Sequence, residues 1–164
     1  MGVTRFNALP AGDAERELLS CCASPAWARE VAAGRPYPDV DTLAVAAGAA
    51  LDRLGWEQVE AALAAHPRIG EPPDGAGREA AWSRREQAAV ATAGRTARAA
   101  LAAANRAYEE RFGHIFLIFA SGRTDAEILA AATERLGNDA ETERGVVRGE
   151  LGKIARLRLE RLLA

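Results

Sequence analysis

Two short stretches of this chain carry residue types that can move a proton or grip an anion. The first is Ala64-Ala65-His66-Pro67-Arg68-Ile69-Gly70, which holds one of only two histidines. A residue before proline is pushed out of the helical region, so His66 is predicted on a fixed, extended kink where a helix stops. An imidazole of intrinsic pKa about 6.5, restrained by the backbone, can give or take a proton at neutral pH. The second is Ser83-Arg84-Arg85-Glu86-Gln87. Ser-x-x-Glu has the spacing of a capping box, which predicts the start of a long helix over roughly 84–112. Free amides at that start, with the Ser83 hydroxyl and the Gln87 amide, would also form a donor-rich edge for an oxygen-rich anion. Glu86 could orient an imidazole or relay a proton. The structural and functional readings are compatible.

A third candidate emerges from helix geometry near the C-terminus. At 100° per residue from Ile154, Val147 lies near about 20°, Leu151 near about 60° and Leu162 near about 80°. Arg158 falls at about 40°, inside this apolar stripe, whereas Arg156 falls at about 200°, on the opposite face. A buried guanidinium is costly unless its fork is paired. Arg158 is therefore either a snorkelling or structurally paired arginine, or a bidentate clamp for a substrate carboxylate or carbonyl pair. Arg161, nearer the frayed end, is the weaker candidate.

The elements that must position these residues read as helices almost throughout. Asp13 is placed as the cap of a first helix carrying Leu18, Leu19 and Cys22. Ser24-Pro25 reads as a cap followed by a first-turn proline, with Trp27 and Val31 on one face and Gly34 as a stop. Leu43, Ala47, Leu51 and Leu54 recur at helical spacing between an Asp41 cap and Gly55. Trp56, Val59 and Leu63 continue a short helix towards His66, and 71–77 reads as an exposed loop. The long helix carries Leu101, Tyr108 and Phe112 and ends at Gly113. Thr124 and Glu127 form a capping box for a helix running to Gly137, and a last helix begins near Ala140. Only His114 to Ala120 resists. Its Ile115-Phe116-Leu117-Ile118-Phe119 core has strand propensity but no partner strand, so it is a buried extended connector or a helix-like turn. The fold class is all-α: a single compact multi-helix domain over 1–164 with one buried irregular connector.

Composition excludes several functions. Twenty-one basic residues face 23 acidic ones, a net charge of −2, so no global field attracts nucleic acid. No apolar run approaches the roughly 20 residues that span a bilayer, and the N-terminus lacks a signal-peptide pattern. Cys21 and Cys22 are adjacent and poorly placed to bond each other, so they read as small apolar helix residues in a reducing compartment. The expected location is cytoplasmic. His66 and His114 lack metal-ligand spacing, and no metal is expected. No phosphate loop, nucleophile elbow or Cys/His pair occurs.

Taken in order, these segments resemble one family, the 2-oxo-4-hydroxy-4-carboxy-5-ureidoimidazoline (OHCU) decarboxylases of urate breakdown. The resemblance runs from Phe6-Asn7-Ala8-Leu9-Pro10 and Cys21-Cys22-Ala23-Ser24-Pro25-Ala26-Trp27 through His66-Pro67-Arg68-Ile69-Gly70 and Ser83-x-x-Glu86-Gln87. It continues with Asn105-x-x-Tyr108-x-x-Arg111-Phe112-Gly113 and Asn138-Asp139-x-Glu141-Thr142-Glu143, and closes on Ile154-x-x-Leu157-Arg158-Leu159. It implies decarboxylation of OHCU to (S)-allantoin and carbon dioxide, with His66 as catalytic proton donor and Glu86 tuning it. Pro67, Ser83, Arg84, Arg85, Glu86, Gln87 and Arg158 would bind substrate. So would the connector at Ile118, Phe119, Ala120, Ser121 and Gly122. It also implies an all-helical fold, no cofactor and a homodimer; neither nucleic acid nor a membrane is an expected partner. His114 stands where the family usually has an apolar residue. The alternative from another class is a non-enzymatic helical module binding a small anion, in which His66 merely ends a helix.

Overall fold

The computed structural model describes residues 1–71, 75–91 and 94–164, Ala89 and Ala91 by their backbone alone. The predicted loop at Pro72, Pro73 and Asp74 lies outside the described residues. Those described form helices and irregular segments without a strand: α1 (Val3–Asn7), α2 (Ala11–Leu19), α3 (Pro25–Ala33), α4 (Val40–Asp52), α5 (Trp56–Leu63), α6 (Arg78–Glu86), α7 (Ala88–Ala91), α8 (Arg95–Phe112), α9 (Asp125–Arg135) and α10 (Ala140–Leu163). None is long and apolar enough to cross a membrane. The chain divides into two compact units, one of 1–62 with 151–164 and one of 63–150.

In the first unit, Ser24 caps α3 by accepting from the Trp27 N–H, with Pro25 in the first turn. Trp27 is fully buried and its indole donates to the Ala47 carbonyl of α4 at 2.8 Å. That bond lets a large aromatic side chain enter the core without orphaning its N–H. Two expected caps differ. Pro10, not Asp13, precedes α2, and Asp13 sits in its first turn. Asp39, not Asp41, caps α4, because Asp39 has extended backbone and its carboxylate accepts from Thr42 N–H at 2.7 Å. Cys21 and Cys22 are buried, as expected, but lie just beyond the end of α2.

The second unit packs Ile69, Leu101, Tyr108, Phe116, Ile118, Ala120, Ile128 and Ala132 into one apolar cluster. Gly113 takes φ +78° and ends α8, a conformation that favours glycine. The Thr124–Glu127 capping box opens α9, with both reciprocal bonds formed. Residues 115–120 are neither helix nor strand, and Phe116, Leu117, Ile118 and Ala120 are buried. The connector is therefore buried and irregular, and the helix-like turn is not formed.

The expected helix over 84–112 is replaced by α6, α7 and α8. Glu79, Ala80, Ala81 and Trp82 are competent helix residues, and burial of Ala80 and Trp82 extends α6 back to Arg78, with Gly77 at its N-cap. Ser83 is therefore not a cap. It is the sixth of nine helical residues, and Glu86 is the last.

Candidate active site

That shift changes the chemistry available at Ser83-Arg84-Arg85-Glu86-Gln87. The segment forms the C-terminal end of a helix, where carbonyls rather than amides are left over. The amide-rich edge expected there for an oxygen-rich anion is therefore not formed. What the helix supplies is a shared face. Ser83, Glu86 and Gln87 stand at i, i+3 and i+4, so their side chains are neighbours. Ser83 and Glu86 are buried, whereas Arg84 and Arg85 are exposed. Arg84 turns back to donate to the Gly75 carbonyl at 3.2 Å.

His66 occupies the predicted kink. Helix α5 ends at Leu63, the His66 N–H donates to the Leu63 carbonyl at 2.9 Å, and the chain then leaves the helical path through Pro67. His66 and Pro67 are half-buried. The following residues are held by three contacts, one from the end of α6 and two from α8. Gly70 N–H donates to Gln87 Oε1 at 2.9 Å, which ties the histidine segment directly to the end of α6. The Asn105 amide donates from α8 to the buried Ile69 carbonyl at 2.9 Å. Arg68 makes a two-point ion pair with Glu109, Nε to Oε1 at 2.6 Å and Nη2 to Oε2 at 3.0 Å. Gly70 has φ +87°, which a side chain rarely tolerates. Because its Oε1 accepts from Gly70, Gln87 turns its NH₂ the other way, as a donor.

The connector is held as firmly. Arg135 Nη1 donates to the Leu117 carbonyl at 2.7 Å, and Phe119 N–H donates to Glu150 Oε2 at 2.7 Å. Arg123 Nε donates to the Phe119 carbonyl at 3.1 Å, and Gly122, at φ +78°, turns the chain into α9. Arg135 is anchored by Glu143, whose Oε1 accepts from Arg135 Nε at 2.8 Å and Nη2 at 2.6 Å. Tyr108 donates its hydroxyl to that same oxygen, and Asn138 donates to Oε2 at 2.8 Å. Burial and the Glu143 hydrogen bond push the Tyr108 phenol above its ordinary value. The guanidinium of Arg135 also covers the Phe116 ring at 4.6 Å. His114 joins this aromatic cluster edge-on to Tyr108, its ring centroid 5.5 Å away.

Arg158 belongs to the first unit. It is buried, 5% exposed, while Arg156 on the opposite face is exposed, so the guanidinium does not snorkel to water. Burial pushes the neighbouring Cys22 thiol up to about 12, outweighing a backbone hydrogen bond at Ser24 and the Arg158 charge. Cys22 stays a neutral thiol at physiological pH.

The residues to which the sequence reading gave no role are Asn105 and Glu143, named only within motifs, and Glu109, Arg135 and Glu150. Four of them carry the signal that flagged Arg158. Glu143 and Glu150 fall at about −20° and −40° on the Ile154 scale, and Arg135 falls about 20° from Ile128. Asn105 sits between buried Leu101 and Tyr108 at i−4 and i+3. Polar residues on an apolar stripe mark buried partners.

Comparison with known proteins identifies the family of the chain. The OHCU decarboxylase family profile matches residues 7–160. The uric acid degradation bifunctional protein TTL of Arabidopsis thaliana is 32% identical over 154 residues, covering 92% of this chain and 47% of that protein. The chain thus spans about half the length of that relative. The 2-oxo-4-hydroxy-4-carboxy-5-ureidoimidazoline decarboxylase of Amia calva is 34% identical over 143 residues, covering 85% of this chain and 81% of the relative. A crystal structure of an OHCU decarboxylase in the presence of (S)-allantoin superposes with a TM-score of 0.78 at 31% identity, covering 90% of this chain and 96% of that one. By profile, identity and fold together, the chain belongs to the OHCU decarboxylase family.

Proposed function

We propose that this protein decarboxylates OHCU to (S)-allantoin and carbon dioxide in urate breakdown. The observation that carries the reading is the hydrogen bond from Gly70 to Gln87, which joins the His66 segment to the helical face bearing Ser83 and Glu86. The substrate has a C=N group next to the carbon that loses its carboxylate. When the C–CO₂ bond breaks, its electron pair moves into the ring towards that nitrogen, leaving an enol-type intermediate. The nitrogen takes up a proton, the enol hydroxyl gives its own up as its carbon becomes the ring carbonyl, and one proton delivered from one face to the ureido-bearing carbon sets the stereocentre. His66 is the donor and Glu86 orients it. Ser83, the Gln87 NH₂ and the connector 118–122 hold the ring and ureido group, and the family resemblance gives Arg158 a part in turnover. The exposed Arg84 and Arg85 and half-buried Pro67 belong to the substrate-binding set that the family resemblance implies.

The experiment is circular dichroism of freshly generated OHCU, with and without the protein. Spontaneous decay gives racemic allantoin, so the expected signal is a growing excess of the (S) form. His66→Asn is expected to stay folded and lose that excess, and Arg158→Met to slow turnover while keeping the helix. A His66→Asn variant with unaltered rate and product handedness refutes the proton-donor role. The reading includes a homodimer, supported by the family resemblance and tested by light scattering. It also includes a cytoplasmic location, supported by two buried cysteines that form no disulfide among the described residues and tested by fractionation.

A further inference from the structure

A buried segment outside any helix or sheet must satisfy its peptide groups one at a time. In the connector this task falls partly to a carboxylate that helix packing does not require. Glu150 lies on the apolar stripe of α10 and is only 7% exposed. A leucine there would pack without the desolvation cost that a carboxylate carries. Its Oε2 accepts the Phe119 N–H at 2.7 Å, while Arg123 occupies the carbonyl of the same residue at 3.1 Å. A trans peptide is planar, and its N–H and C=O point in opposite directions. Fixing the Phe119 N–H against α10 therefore fixes the Ile118 carbonyl, which shares that peptide plane, pointing away from Glu150. Arg135 restrains the preceding carbonyl, at Leu117, from a different helix. The Ile118–Phe119 peptide is thus clamped in rotation at the start of the segment 118–122.

We infer that Glu150 is a positioning residue for the reaction. It sets the orientation of the Ile118–Phe119 peptide, and hence the angle at which the connector receives the substrate ring. The inference rests on the proposed decarboxylase function and extends it to a residue outside the site set. The role belongs to the reach of the acceptor oxygen rather than to its charge. Glu150→Gln keeps an oxygen at the same distance and removes the charge. Glu150→Asp keeps the charge and shortens the reach by one methylene.

The test measures kcat, KM and the enantiomeric excess of allantoin for the unmodified protein and both variants, with thermal melts of each. Glu150→Asp is expected to lose about tenfold or more in kcat, with KM changed less than about threefold and a lower (S) excess, as misalignment of a bound substrate requires. Glu150→Gln is expected to stay within about threefold of the unmodified kcat, because the hydrogen bond to Phe119 survives. A purely structural role would shift the melting temperature and leave kcat per folded molecule and handedness alone, and that result overturns the inference. So does the reverse order, with Gln impaired and Asp intact, or equal loss in both. If the unmodified protein shows no stereospecific turnover, the decarboxylase reading falls and this inference falls with it. Normal turnover in all three proteins overturns the inference alone.

Discussion

Replacing Glu143 with leucine tests the buried polar network that holds the connector. Glu143 is fully buried and accepts two bonds from Arg135, one from Asn138 and one from Tyr108. The Arg135 side chain is only 7% exposed. Leucine fills most of the space, so the dominant cost is a guanidinium left buried without its counter-ion, about 3–5 kcal/mol. Total stability of a domain is about 5–15 kcal/mol. At roughly 2–4 °C per kcal/mol for a chain of this size, the melting temperature should fall by about 6–20 °C. Arg135→Met alone should cost a similar amount, because it orphans the carboxylate. The double variant removes both charges and should cost little more than either single change, a non-additivity of about 3 kcal/mol. Urea unfolding of the four proteins, followed by circular dichroism, measures this cycle. A loss under about 1 kcal/mol for Glu143→Leu, or additivity within about 0.5 kcal/mol, would refute the claim that the pair is a single buried unit.

Two further predictions concern the thiol and the glycine turn. The folded Cys22 thiol keeps its proton up to about 12, whereas the unfolded thiol loses its proton near the ordinary 9.0. Between these values the unfolded chain binds fewer protons, so stability falls as pH rises above about 9, with a slope of up to about 1.4 kcal/mol per pH unit. Urea midpoints from pH 8 to 11 should fall less steeply for Cys22→Ala, and identical slopes would contradict the assignment. Gly70→Ala forces a side chain to φ +87°, with its Cβ 3.2 Å from Leu101 Cδ2, at a cost of about 1–2 kcal/mol. Gly113→Ala is the control, since φ is +78° and no atom stands within 4 Å. Both should lower the melting temperature, but only Gly70→Ala should lower kcat, because it disturbs the bond to Gln87. Equal kcat in the two variants would disconnect that turn from catalysis.

Local chemistry was legible wherever neighbours in sequence decide the outcome. The Ser24-Pro25 start of α3, the Thr124–Glu127 box, the Gly113 stop and the His66-Pro67 kink each depend on residues within about four positions, where backbone sterics and short hydrogen bonds dominate. Arg158 was legible as buried because helical periodicity alone places it on the apolar stripe. Ser83 was not, because Ser-x-x-Glu fits a helix start and a helix interior equally well. Burial of Ala80 and Trp82 then chose the interior, and with it replaced an anion-binding mouth by a shared side-chain face. The grips on the histidine segment and the connector span much longer separations: Asn105 to Ile69, Gln87 to Gly70, Arg135 to Leu117 and Glu150 to Phe119. Periodicity shows that such polar groups are buried and so must be partnered. Which backbone group each one meets is decided only when the helices pack, because a buried donor or acceptor bonds to whatever the tertiary fold brings within reach.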